Sequence, residues 1–320
     1  MTPVRRNLFL LSFAAVFSLT LPLIFKSSFI QHLLVMSGIN IILVMSLDMV
    51  LGHAGLISLG HAGFMGIGAY TCTLLVMKFK IPFLGGLLGA MVLSGFFGAL
   101  IGYPSLRLRG HYFVIVTFIC GIIFTLFFTN LVSITKGPMG IPGIPSPKIA
   151  LGDELAINFK SKIAYYYLVL TFIFLITYVK YRFYHSRMGR ALLAIREDED
   201  LGKSVGIYTH AYKVGIFAIS TAFAGLAGGL YAHYMRFIGP DSFTMLHSFY
   251  FFVMNLVGGS GTIAGPIIGP LLLTVIDELS QFFNPALARI LFGLSLILII
   301  LYMPKGITGM LQRLVLKREV

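Results

Sequence analysis

Apolar stretches recur along the whole chain, at 8–25, 29–51, 56–77, 81–103, 111–132, 163–181, 214–236, 245–258, 262–280 and 286–303. Most are close to the roughly 20 residues that a helix needs to cross a bilayer. Inside lipid no water satisfies a free backbone amide, so a spanning segment has to be a helix or a strand of a closed barrel. The stretches lack the alternation of barrel strands. They predict an all-α, polytopic membrane protein of about ten transmembrane helices, one domain over residues 1–320. Charged residues make up 11% of the chain, where a soluble domain carries about 25%. Arg5 and Arg6 ahead of 8–25 imitate a signal peptide, but Lys26, Ser27 and Ser28 follow instead of a small-x-small cleavage site. The run reads as an uncleaved first span.

The division of 245–280 decides where the tail lies. GGSGTIAGP interrupts the apolar run there, and its glycines and proline favour a turn. Counting two crossings returns Lys305, Arg313, Lys317 and Arg318 to the side of Arg5 and Arg6. With Arg107, Arg109 and the seven basic residues from Lys180 to Lys213, that side then holds fifteen of the 24 basic residues. The positive-inside rule makes it the cytoplasm. The formal net charge of +13 therefore reads as topology, not as a nucleic-acid surface.

Two loops exceed a simple turn. The outer one, 133–162, is rich in proline and glycine and reads as a surface lid or docking edge. The inner one, 182–213, carries Glu197, Asp198, Glu199 and Asp200, four of the chain's eleven acids. It is either a solvated connector or a short amphipathic helix that docks a cytoplasmic partner.

The tetrapeptide GHAG occurs twice within GHAGLISLGHAG, 52–63. On one continuous helix His53 and His61 would stand about 12 Å apart along the axis and about 80° apart around it. A single metal ion needs its ligands about 2 Å away, and the repeat itself contains no carboxylate or cysteine. Close packing explains the glycines better, because small residues let helix backbones approach in lipid. Interrupted helices also line transport paths, and Ser58 and His61 should face a neighbour or a wet cavity. Both readings hold for the repeat, which is expected to be a close-packed helix, continuous or interrupted, beside a path.

Chemistry is scarce elsewhere. GGSG (258–261) matches the GxSG of intramembrane serine proteases, yet all eight histidines, ending at His247, precede Ser260; such an enzyme places its base on a later helix. No GxxxxGK[ST] is present, so any ATP chemistry belongs to another chain. Cys72 and Cys120 read as small buried residues. With no tryptophan, tyrosines 165–167 and 178, 181 and 184 have to supply an interfacial belt. Acids within the spans are few: Asp48 near an inner end, Asp277 and Glu278 near an outer one. Ion-coupled carriers usually bury such groups at mid-membrane.

Seven blocks, in order, carry a resemblance: LGHAGFMGIGAY (59–70), LRLRGHYFVIVT (106–117), ITKGPMGIPGIP (134–145), GRALLAIREDE (189–199), AGLAGGLYA (224–232), GPDSF (239–243) and LVGGSGTIAGPIIG (256–269). Over nearly its whole length the chain resembles the LivM-type membrane permeases of bacterial branched-chain amino-acid ABC importers. The resemblance implies a non-enzymatic permease of the bacterial inner membrane with both termini cytoplasmic. It implies a second homologous permease, two ATP-binding cassette subunits that hold the ATP and Mg, and an extracytoplasmic substrate-binding protein. It makes the inner loop the coupling segment, with Gly189, Arg190, Arg196, Glu197, Asp198, Glu199 and Gly206 facing the ATPase. The family's AAxxxG appears as Leu201, Gly202 and Gly206, without its alanines. Ser58, His61, Thr117 and Asn255 are the candidates for the path. The chain departs from the family at Ile122 and Thr125, where an acid and a base are usual, at His111 for a common Asp, and at Lys136 and Met139 for Gly and Asn. These changes leave urea, a short amide or another small polar solute as alternative cargo. An ATP-independent carrier or channel is the competing class, and it would have no use for a coupling loop.

Overall fold

The computed structural model describes residues 18–22, 24, 25, 27–107, 112–150, 156–283, 293 and 306–310. The run 286–303 apart from residue 293, most of 8–25, and Arg5, Arg6, Arg109, His111, Lys305, Arg313, Lys317 and Arg318 lie outside the described residues. Eleven α-helices are described: α1 (Ser28–Ala54), α2 (His61–Met77), α3 (Phe83–Ser105), α4 (Tyr112–Asn130), α5 (Val132–Thr135), α6 (Lys162–Tyr184), α7 (Arg187–Glu197), α8 (Glu199–Ser204), α9 (Thr209–Met235), α10 (Met245–Gly258) and α11 (Gly265–Phe283). Five of these, α1, α3, α4, α6 and α9, are long and apolar enough to cross a membrane. They coincide with five of the expected crossings to within a few residues.

Helices α1 and α9 form the middle of the bundle. Helix α9 packs on α1, α2 and α3, and α1 also packs on α6 and α11. Most of α1 from Leu33 to Ala54 is buried, and the AGLAGG run of α9 (224–229) is buried throughout. Small side chains there let three neighbours approach closely, which is how helices associate where lipid is as apolar as leucine. Helices α3 and α4 are peripheral and turn apolar faces outward: Leu84, Leu88, Val92, Phe96 and Leu100 on one, Ile115, Ile119, Ile123 and Leu126 on the other. Ile122 belongs to that outward face of α4, which suits isoleucine in lipid.

One end of the bundle carries α7 and α8; the other carries short strands and is called here the hairpin end. At the hairpin end β1 (Ile141–Pro142) pairs antiparallel with β4 (Phe237–Ile238), and β2 (Lys148–Ala150) with β3 (Ala156–Asn158). The described part of the Pro- and Gly-rich segment 133–162 is therefore tied down by backbone pairing, with Ile144 buried and the Pro145 carbonyl hydrogen-bonded to His233 Nδ1. Lys136 caps α5 in the left-handed conformation (φ 64°), and Met139 stands 82% exposed. The tyrosines divide. Tyr165 is buried and donates to the Leu230 carbonyl, and Tyr166 to that of Ser18, while Tyr178 and Tyr181 are exposed. Cys72 is buried and Cys120 partly so.

Two expected crossings are not full-length helices. The span 56–77 begins its helix only at His61, and 245–258 is a helix of 14 residues. Both are preceded by non-helical chain, and this difference builds the site.

Candidate functional site

Helix α1 ends at Ala54, where Gly55 takes the left-handed conformation (φ 67°) and returns its N–H to the Val50 carbonyl. A residue with a Cβ adopts that conformation only at a cost. The chain then doubles back through 55–60 without helix before α2 starts at His61. His61 stands level with Ser46, because its Nε2 lies 2.8 Å from Ser220 Oγ and Ser220 donates to the Ser46 carbonyl. Ser46 is eight residues, about 12 Å, before the end of α1. The GHAG repeat is thus an interrupted pair of helices whose second member starts inside the bundle.

A second short helix meets it. Residues 240–243 form a 3-10 turn, held where Thr125 Oγ1 on α4 donates to the Phe243 carbonyl (3.2 Å). Helix α10 follows from Met245, and Ser248 in its first turn accepts the Ala62 N–H of α2 at 2.9 Å. The starts of α2 and α10 therefore meet within the bundle, bringing two partly positive helix ends together.

The polar groups around this meeting point are buried. His61 Nδ1 lies 2.9 Å from Ser58 Oγ. Thr117 Oγ1 accepts the Leu59 N–H at 3.2 Å and donates to the Val114 carbonyl at 3.0 Å. Gly60 touches α4 so closely that a Cβ would overlap the Thr117 carbonyl. Ser58, His61, Thr117, Ser220 and Ser248 are each 0% exposed. Of the expected path residues, three, Ser58, His61 and Thr117, converge here. Asn255 lies two turns along α10 from Ser248 and on its face, since seven residues bring a helix back to nearly the same azimuth. Its side chain is 0% exposed, and neither amide atom has a hydrogen-bond partner among the described residues. The sequence reading did not include Ser46, Ser220 or Ser248. Each is a lone serine in an apolar run, and lone serines commonly satisfy themselves on a carbonyl of their own helix.

His53 goes elsewhere, stacking on Tyr184 with ring centroids 3.4 Å apart. The two histidines of the repeat share no partner, and among the described residues no group of His, Cys, Asp or Glu could hold a metal ion.

The charged segment at the other end folds into two short helices. Ser186 caps α7 by accepting the Gly189 N–H, and Asp198 caps α8 by accepting those of Asp200 and Leu201; such caps satisfy donors that a helix start leaves free. Helix α7 is amphipathic, with Gly189, Leu192 and Ile195 buried. Gly189 lies against the Phe183 carbonyl, and Gly206 ends α8 in a left-handed conformation (φ 82°). Arg190 reaches the His185 carbonyl at 2.9 Å and is exposed, as is Glu197. Arg196 turns back to donate to the Gly52 carbonyl of α1. Glu199 accepts from Thr209 Oγ1 and Lys213 Nζ. Burial alone would raise its carboxyl, but Lys213, Lys203 and the Thr209 hydrogen bond hold it below the ordinary 4.5.

This surface also presents apolar side chains to the outside. Leu201, Val205 and Tyr208 are 65%, 70% and 82% exposed, and Leu193 on α7 is 39% exposed. Leu201 lies on α8, and Val205 and Tyr208 in the turn between α8 and α9, so all three exposed apolar side chains fall within this charged segment.

Comparison with known proteins gives a consistent result. Residues 29–300 match the family model described as the permease component of branched-chain amino acid transport systems. The chain is 35% identical to the high-affinity branched-chain amino acid transport system permease protein LivM of Salmonella typhimurium over 293 residues, 86% of this chain and 69% of that protein. It is 34% identical to LivM of Escherichia coli over 290 residues, 85% and 68% of the two chains. Against LivH of Salmonella typhimurium, the permease of the same printed description, identity is 27% over 276 residues, 82% and 88%. No solved structure matches the chain.

Proposed function

Because this chain belongs to the family of branched-chain amino acid transport system permease components, we propose that it is the transmembrane permease subunit of an ABC importer for branched-chain amino acids. It pairs with a second, homologous permease; the likeness to both LivM and LivH supports that pairing. Two ATP-binding cassette subunits, with their ATP and Mg, sit against α7 and α8 and drive alternating access. An extracytoplasmic binding protein delivers the ligand at the hairpin end. This chain crosses the inner membrane ten times with both termini in the cytoplasm and makes or breaks no bond.

The observation that carries the reading is the exposure of apolar Leu201, Val205 and Tyr208 on the same charged segment as the exposed Arg190 and Glu197. A lone carrier or channel has no need of exposed apolar side chains on such a segment. The path passes the meeting point of α2 and α10, where the serines, Thr117 and the paired helix starts offer hydrogen bonds and partial positive charge to a zwitterion. Discontinuous helices present their N-terminal ends to carboxylates in this way.

Gentle purification of the tagged chain from its native membrane tests the reading. Two ATP-binding subunits and a second permease should accompany it, and the reconstituted complex should take up leucine in preference to urea when ATP is supplied. Recovery of the chain alone, with uptake that ignores ATP, refutes it.

A further inference from the structure

We infer that the buried pair Asp48–Lys180 is the joint that locks α1, α6 and the turn 259–264 together, so that movement of α7, carried to α1 by Arg196, shifts all three and with them the start of α2. The inference rests on the reading of α7 and α8 as the ATPase-docking segment. Both side chains are 0% exposed, and Lys180 Nζ lies 2.7 Å from Asp48 Oδ2. Tyr184 OH donates to the same oxygen at 2.9 Å. Asp48 Oδ1 accepts the Gly261 N–H at 2.8 Å, and Lys180 also donates to the Thr262 carbonyl at 2.9 Å. The pair therefore ties three elements: α1, α6 and the turn between α10 and α11.

Arg196 adds the fourth. Its guanidinium donates to the Gly52 carbonyl, one turn beyond Asp48, and its stem lies along Gly55. Gly52 itself touches the turn, since a Cβ there would stand 2.7 Å from the Gly261 backbone. Backbone contact at this point leaves α1 and the turn no room to slide independently. Asp48 is two residues from Ser46, whose carbonyl holds Ser220 and through it His61. A displacement of α7 is thus carried by Arg196 to the end of α1, spread by Asp48 and Lys180 to α6 and the turn, and delivered one half-turn away at the meeting point of the short helices.

Stability does not account for the pair. Two charges taken out of water are costly, and apolar residues of similar volume often do as well or better. Ionisable groups inside membrane segments mark functional sites. Neither charge touches Ser58, His61, Thr117 or Ser248, so Asp48 and Lys180 are positioning residues, not path residues.

The test uses the whole importer, purified with its ATP-binding subunits and reconstituted in liposomes with its binding protein. The pair D48N/K180M removes both charges at nearly constant volume and leaves an acceptor for the Gly261 N–H. Its ATPases should co-purify as with the unaltered chain and continue to hydrolyse ATP, while leucine uptake per ATP falls at least tenfold. K180R, which keeps the charge, should stay within about threefold of the unaltered ratio. Unaltered uptake per ATP in D48N/K180M overturns the joint. If that variant does not fold, R196Q decides, because it removes only the clasp on Gly52; an unchanged ratio there overturns the joint equally. Absence of ATP-binding subunits from preparations of the unaltered chain overturns the docking reading, and the joint with it.

Discussion

Ser220 and His61 fix each other's protons. The Ser220 hydroxyl has one hydrogen and gives it to the Ser46 carbonyl, so the 2.8 Å contact with His61 requires the Nε2–H of the histidine to donate. The other ring nitrogen, 2.9 Å from Ser58 Oγ, then accepts the Ser58 proton in the neutral ring. Ser58, His61, Ser220 and Ser46 form one directed chain of hydrogen bonds linking the segment 55–60, α2, α9 and α1. Replacing Ser220 with alanine strands the His61 N–H, and leaving a buried group unsatisfied costs about 1–3 kcal/mol. S58A should cost a similar amount. The double variant should cost less than their sum, because groups in one network are coupled. Thermal unfolding of the three purified variants measures this, and simple additivity would contradict the directed chain.

Gly60 should tolerate no side chain. A Cβ there meets a backbone carbonyl of α4, which no rotamer change can relieve, and overpacking of this kind costs about 1–3 kcal/mol or more. Gly206 offers the contrast, with a left-handed backbone and open space around it. G206A should cost only about 1 kcal/mol, the price of that conformation. G60A should therefore lower the melting temperature clearly more than G206A, and the reverse order would remove the close approach of 55–60 to α4 from the account.

The long crossings were legible from run length alone because lipid permits few alternatives to a helix. What run length leaves open is decided by non-local contacts. Residues 56–60 are apolar enough to continue a helix, and only the fit of Gly60 against Thr117 and of His61 against Ser220 shows why they do not. Ser248 has no signature until α10 is seen to begin beside Ala62. Gly189, Asp198 and Gly206 turn out to shape α7 and α8 through packing, capping and termination, while Arg196 and Glu199 bond within the chain. Charge type was readable; which way each charge points depended on α1 and α9.

Glu199 sets an acid limit on the α8–α9 corner. Its folded carboxyl is held below 4.5, so the contribution of its contacts with Lys213 and Thr209 is complete above the unfolded value. It declines as pH falls through the lower folded value, where the carboxylate takes up its proton. Hydrogen exchange in 199–213 should therefore rise relative to the helical core as pH drops below the ordinary carboxylate range. E199Q should show the raised exchange already at neutral pH and lose the acid-dependent step. An identical acid profile in E199Q would assign the step to another group.

Asn255 separates stability from transport. Both of its amide atoms are buried without a partner among the described residues, and an unsatisfied buried polar group costs about 1–3 kcal/mol. Leucine has the same branched outline and no such requirement, so N255L should raise the melting temperature by several degrees. If the amide is kept to bind passing cargo, the same variant should lose leucine uptake at least tenfold while the ATP-binding subunits remain attached. A variant both more stable and fully active would make Asn255 a neighbour of the path with no part in it; one that is less stable would show the amide satisfied in the folded membrane protein. The expected pairing, a gain in stability with a loss of transport, is the one that a purely structural asparagine cannot produce.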